Sequence, residues 1–282
     1  MKPILLNNGR TLQLPEDWND LRPADRLTAF GWLLEMLEGR MTPFEWQLRL
    51  LLLITGYRPS RRKRTPEQQD NIQTNLIRLA EQLDFAFSVD DDNHIRLNAM
   101  MRDCPVKANA QFHRDRIIDT NITARQYADA LDLLRLIRNA DNTDDADFYR
   151  LRLCRLLGAE LPPKQADVIP RFVELWFTGV AQFFALHPVY RVLFPTNNST
   201  NSTAFNNSTD SSDQIDLGMQ EVILYLKTQG FADADRMLLP EFFDAQLKLL
   251  QDNLRDAKAQ GLTIADLMQR TSLSAADINR LL

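Results

Sequence analysis

The chain has 282 residues, with 33 Lys and Arg against 38 Asp and Glu, a formal net charge of -5. At 44% hydrophobic and 25% charged it has ordinary globular composition, long enough for one or two domains with a sizeable core. Two cysteines and three histidines exclude a disulfide framework and a dense Cys/His metal site, and the mild acidity argues against bulk nucleic acid as the main partner.

The opening residues, Met1 to Gly9, break too early for the apolar core of a signal peptide. Ile4 to Leu6 and Thr11 to Leu14 flank Asn7-Asn8-Gly9, a hairpin-type turn signal. Helix starts follow in order. Thr42-Pro43-Phe44-Glu45 and Thr65-Pro66-Glu67-Gln68 each place a cap, a first-turn proline and a reciprocal side chain. Thr123 to Gln126, Thr263 to Asp266 and Ser274 to Asp277 repeat the capping box without proline. Each device satisfies backbone N–H groups that the first turn leaves orphaned.

Periodicity agrees with the caps. Ile72, Leu76, Leu79 and Leu83 share one helical face, as do Ile215, Met219, Val222 and Leu226, and Phe243, Leu247, Leu250 and Leu254. Further helices are expected over 24–38, 124–139, 145–157 and 165–186, with Asp144 or Thr143 capping the third of these. Gly230 and Gly261 sit where helix C-terminal glycines belong. A second hairpin is expected from Phe85 to Val89 and Ile95 to Leu97, around Asp90-Asp91-Asp92-Asn93. The fold class is therefore mainly α: a multi-helical body with one or two short β-hairpins, plus a small helical C-terminal module.

One boundary stands out. Residues 196–213 are almost wholly Asn, Ser, Thr and Asp, interrupted only by Ala204 and Phe205. Such a run cannot bury enough apolar surface to offset its ordering entropy, which predicts a disordered linker. It would separate a body, 1–195, from a C-terminal module, 214–282. Asn197, Asn198, Asn201, Asn206 and Asn207 fit glycosylation patterns, but these come free with the composition, and the expected compartment is the cytoplasm. The most apolar stretch, Phe172 to Phe194, carries Glu174, Gln182, His187 and Arg191 and is interrupted by Pro188, so it reads as a buried helix and not as a membrane span.

Candidate chemistry is sparse. Cys104 and His113 could form a nucleophile pair only if folding brought them within hydrogen-bond reach; an ordinary thiol and a surface imidazole is the plainer reading. Cys154, among Leu151, Leu153, Leu156 and Leu157, reads as a core thiol. The acidic runs 90–92 and 141–145 lack the turn glycine and closing glutamate of a calcium loop. No phosphate-cradling glycine loop, nucleophile elbow or zinc-protease motif occurs. No catalytic, cofactor-binding or metal-ligating residue is assigned, and the chain is expected not to be an enzyme. Trp18, Trp32 and Trp46 are expected as core anchors. Phe172, Trp176, Phe183 and Phe184 read as core, with a pocket lining as the alternative.

Two features suggest binding. Arg58, Arg61, Arg62, Lys63 and Arg64 form one dense basic loop, fit for solvent, an acidic protein surface or a phosphate backbone. Residues 263–282 resemble a helix-turn-helix in the spacing of Ile264, Leu267, Leu273, Ile278 and Leu281. They depart from it with Met268 and Ser272 where that motif prefers alanine and glycine, with Asp277 where phosphates would be repelled, and with no supporting third helix after them.

Several stretches carry a family resemblance. Pro15-Glu16-Asp17-Trp18-Asn19-Asp20-Leu21 resembles the P-x-x-W-x-x-L opening of uncharacterised proteins in phage and prophage morphogenesis modules of Bacteroides-like bacteria. Leu83 to Phe87 and Asn121 to Ala130 are similar to later segments of that group. Gly218 to Lys227, with Met237 to Asp244, is similar to the helical tail region of phage tail assembly chaperones. The resemblance spans about half the chain in scattered pieces, and the Asn/Ser/Thr run is not part of it. It implies a non-enzymatic role without cofactor: a factor that coats the tape-measure protein before the tail tube polymerises around it. Phe242, Phe243, Leu247, Leu250 and Leu254 are then the expected partner-binding side chains, docking a long helical tail protein. A polar linker would keep the tethered module at high effective concentration. The competing readings are a DNA-associated regulatory protein, using the C-terminal hairpin and the basic loop, and an enzyme with an unrecognised site.

Overall fold

The computed structural model describes residues 1–5, 9, 11–57, 65–89, 95–98, 104, 108–109, 111–113, 119–161, 166–194 and 219–282. Of these, 65% are helical and 8% lie in strands, so the fold is mainly α. The chain clusters into two compact units, residues 1–109 with 136–180, and residues 110–135 with 181–282. The division falls within two helices, α4 (Ala124–Arg138) and α6 (Ile169–Leu186). The boundary expected at 196–213 falls inside the second unit, in residues outside those described. No described helix is long and apolar enough to cross a membrane.

The first unit opens with the expected hairpin, β1 (Lys2–Leu5) antiparallel to β2 (Thr11–Leu14), in the register Lys2 to Leu14. A 3₁₀ turn at Trp18–Asp20 leads to α1 (Pro23–Leu37) and α2 (Pro43–Thr55), with α3 (Pro66–Ala80) following. Thr42 and Thr65 form the two predicted capping boxes, with Glu45 and Gln68. Strands β3 (Phe87–Val89) and β4 (Ile95–Leu97) form the second expected hairpin. Trp18 and Trp46 are fully buried, 6.2 Å apart edge to face, with Phe30, Phe85 and Phe172 around Trp18. Their indole N–H groups donate to the Asn98 and Ala29 carbonyls, at 3.2 and 2.8 Å, so neither polar tip is stranded. Trp32 departs from the expectation. It is only partly buried, and the Arg49 guanidinium lies 5.9 Å over its ring.

Two helix starts correct the sequence reading. α5 (Thr143–Leu157) begins earlier than expected, because Asn142 accepts the Asp145 N–H at 2.9 Å and so takes the capping role assigned to Asp144 or Thr143. α6 begins at Ile169 and not at Gln165: Pro170 is tolerated in the first turn, but further inside a helix it would break a backbone bond. Helix α5 ends at Gly158, whose φ of 68° is the left-handed conformation that favours glycine, and the Asn109 N–H donates to the Leu157 carbonyl beside it. Arg150 ties α5 to α6 through Glu174 at 2.7 Å.

The second unit contains a two-stranded ladder beyond the two expected hairpins, β5 (Phe112–His113) with β6 (Asp119–Thr120). Helices α7 (Met219–Thr228), α8 (Leu239–Ala259), α9 (Ile264–Thr271) and α10 (Ala275–Leu281) complete it. The predicted Thr123–Gln126 box opens α4. Long-range bonds reinforce that helix start: Ala124 N–H donates to Met237 O and Arg125 N–H to Asp235 O, while Leu239 N–H returns to Ile122 O. The segment before α8 thus satisfies donors that the first turn of α4 cannot. Gly230 and Gly261 have positive φ, as their helix-end positions predict.

Candidate interaction surface

The stripe Phe243, Leu247, Leu250 and Leu254 forms on α8 as its spacing predicts, but it is spent inside the second unit. Phe242 and Phe243 are fully buried. The Phe243 ring lies 4.8 Å from Phe184, 5.5 Å from Tyr190, 5.8 Å from Tyr127 and 5.5 Å from Phe194. Further along, Leu254 joins Val192, Leu267, Leu273, Ile278 and Leu281 in a C-terminal core, with Leu247 and Leu250 partly buried against it. The expected partner-binding set is therefore corrected. Periodicity marks which face of a helix is apolar, but whether that face meets a partner or the same chain depends on contacts far away in sequence. Arg58, Arg61, Arg62, Lys63 and Arg64 lie outside the described residues, as do Asp90 to His94.

Other candidates resolve simply. Phe172, Trp176 and Phe184 are fully buried and Phe183 partly so, as expected for core positions. Cys154 is buried, and burial pushes its thiol up to about 12, which leaves it protonated and unreactive. Cys104 is partly buried, and the His113 side chain lies outside those described. No group of three His, Cys, Asp or Glu able to hold a metal occurs among the described residues.

The helix-turn-helix-like pattern is a real hairpin with a different support. Thr263 and Asp266 form the predicted box, Ser272 makes the turn at a φ of 57°, and Ser274 accepts the Asp277 N–H at 3.1 Å. The supporting helix precedes the hairpin: α8 lays Leu247, Leu250, Leu254 and Ala257 against it. Asp277 receives the Ser274 hydroxyl at 2.7 Å, Arg191 at 3.2 Å and Arg280 at 3.3 Å. The Ser274 bond first, and then the two guanidinium groups, hold its carboxyl below the usual range. Arg280, the one basic residue of α10, also donates to the Pro188 carbonyl at 3.1 Å. Over residues 262–282 two Asp and two Arg side chains cancel. An open, polar cleft of about 620 Å³ lies at the α8–α9 corner, lined by Gln260, Gly261, Leu262, Asp266, Gln269 and Arg270.

Apolar side chains do face outward elsewhere in this unit. On α7, Ile223 and Leu226 point inward, while Leu224 is 63% and Tyr225 47% exposed. With Glu221 and Thr228 they occupy positions i, i+3, i+4 and i+7 of one face. Of the stripe expected on this helix, Leu226 is buried and Met219 and Val222 are partly so, while Ile215 lies outside the described residues; Leu224 and Tyr225 are two large apolar residues on the opposite face. A second exposed pair, Leu186 and Val189, brackets the turn after α6.

Compared with family models, curated proteins and solved structures, the chain has no match in any of the three.

Proposed function

We propose that this chain is a non-enzymatic, cytoplasmic protein-binding factor of phage or prophage tail assembly, acting as a chaperone on a long helical tail protein of the tape-measure type. The observation that carries the reading is the outer face of α7. Its residues Glu221, Leu224 and Tyr225 lie within the stretch 218–227 that resembles tail assembly chaperones, and it presents Leu224 and Tyr225 to solvent. A large aliphatic and an aromatic side chain one residue apart, flanked by Glu221 and Thr228, suit the groove-type packing of a partner helix. The partner surface proposed is thus α7, in place of the α8 stripe.

DNA reading finds less support. Arg280 is engaged by Asp277 and the Pro188 carbonyl, and the hairpin carries no net side-chain charge with which to displace counterions. The test is an affinity capture from native host lysate, with and without nuclease, using the full chain and a Leu224→Asp, Tyr225→Ala variant. The expected result is nuclease-resistant enrichment of a tape-measure-like or tail-tube protein that the variant loses. Enrichment that disappears with nuclease, or that the variant retains in full, overturns the proposal.

A further inference from the structure

The turn after α6 places an imidazole where a proton changes the hydrogen bonding of the backbone. His187 is partly buried, its ring 5.4 Å from that of Phe183 and 5.3 Å from that of Tyr190. Its Nδ1 accepts the Val189 backbone N–H at 3.3 Å. An accepting Nδ1 carries no proton, so the neutral ring keeps its proton on Nε2. Protonation would set two donors against each other and remove that bond.

The same turn adds contacts to the C-terminal hairpin beyond those made by α8. The Pro188 carbonyl accepts Arg280 from α10, Arg191 reaches Asp277, and Val192 enters the core formed with Leu267, Leu273, Ile278 and Leu281. Tyr190 anchors the other side, donating its hydroxyl to Asp244 of α8 at 2.8 Å while its ring meets Phe184 and Phe243. Among the described residues, the charged groups that bond to this turn, or pair with those that do, are Arg191, Arg280, Asp277 and Asp244; α6 also carries Arg171 and Glu174, and α8 carries Glu241 and Lys248 on either side of Asp244. The two arginines share Asp277, and Asp244 is directed at the Tyr190 hydroxyl. Behind Phe183 lies the apolar ring of Phe112. Burial of the ring among these aromatic neighbours lowers the His187 pKa.

We infer that the His187 turn is a proton-operated latch on the C-terminal hairpin: the neutral imidazole adds a hydrogen bond to a turn that the Arg191 N–H also closes on the His187 carbonyl at 2.9 Å, and protonation loosens the turn together with its contacts to α10. A base whose affinity for protons falls on folding favours the folded turn fully above its unfolded pKa, about 6.5. That contribution is lost as pH falls from there through the lower folded value.

Amide hydrogen exchange on the full chain, corrected for intrinsic rates, tests this at about pH 7.5 and about pH 5. Protection over residues 187–194 and 275–282 is expected to fall about two- to tenfold at the lower pH, the size of one lost hydrogen bond. His187→Asn keeps an acceptor for the N–H two residues on, as in an Asx turn, but does not titrate. It should hold protection at both pH values, while His187→Phe should lower it at both. Unchanged protection of residues 187–194 in the wild type between the two pH values would overturn the inference, as would a wild-type pH response surviving in His187→Asn. If His187→Phe fails to fold, the wild type and His187→Asn still decide.

Discussion

Truncating Phe243 to alanine separates a docking anchor from a core residue. An exposed anchor would cost little stability, since surface substitutions usually fall within about 0.5 kcal/mol. Here the ring is fully buried and touches five other aromatic rings, in T-shaped or tilted geometry, between 4.8 and 5.8 Å. Burial of a phenylalanine side chain is worth about 1.5–3 kcal/mol, and the cavity left by Phe→Ala brings the usual cost to about 3–5 kcal/mol. Ring–ring contacts of about 0.5–1.5 kcal/mol each are partly included in that figure and do not simply add. A loss of about 4 kcal/mol is expected, a large share of the roughly 5–15 kcal/mol that holds a typical domain folded. Urea unfolding of the full chain, followed by far-ultraviolet circular dichroism, should show a much lower midpoint for the transition of the second unit. Leu224→Ala, the surface comparison, should leave both midpoint and slope near the wild type. A Phe243→Ala variant within about 1 kcal/mol of wild type would refute the assignment of α8 to the core and return its stripe to the docking surface.

Two backbone positions give further predictions. Ser272 turns the C-terminal hairpin at a φ of 57°, a conformation that costs an L-residue about 1–2 kcal/mol and glycine almost nothing. Ser272→Gly should therefore stabilise by about 0.5–1 kcal/mol once the extra freedom of unfolded glycine is deducted, read as a higher urea midpoint; a loss of stability would contradict the left-handed turn. Gly158 has a φ of 68°, and a Cβ there would overlap the Asn109 side chain. Gly158→Ala should destabilise by about 2 kcal/mol, and adding Asn109→Ala should recover only the steric part, the backbone part of about 1 kcal/mol remaining. Full recovery in the double variant would show that the backbone conformation carries no cost.

The features legible in the sequence are those whose causes lie within a few residues. Thr42 with Glu45, Thr65 with Gln68, Thr123 with Gln126 and Thr263 with Asp266 close their hydrogen bonds over three positions, so spelling and geometry coincide. Two hairpins were legible from alternation around polar turns, whereas β5 and β6, two residues each, are too short to show a period. Nothing local distinguishes Trp32, half-covered by Arg49, from the buried Trp18 and Trp46.

The sequence alone determined the mainly helical class, most helix starts and the apolar face of α8, because caps and a 3.6-residue period act through neighbours along the chain. Tertiary structure decided where those faces went. Phe243 meets rings at positions 127, 184 and 190, Arg280 reaches the carbonyl of Pro188, and the first N–H groups of α4 find carbonyls at 235 and 237. An amphipathic helix specifies that its stripe leaves water. Only packing between distant segments selects what replaces the water, and that choice made α8 a core helix and left Leu224 and Tyr225 of α7 facing outward.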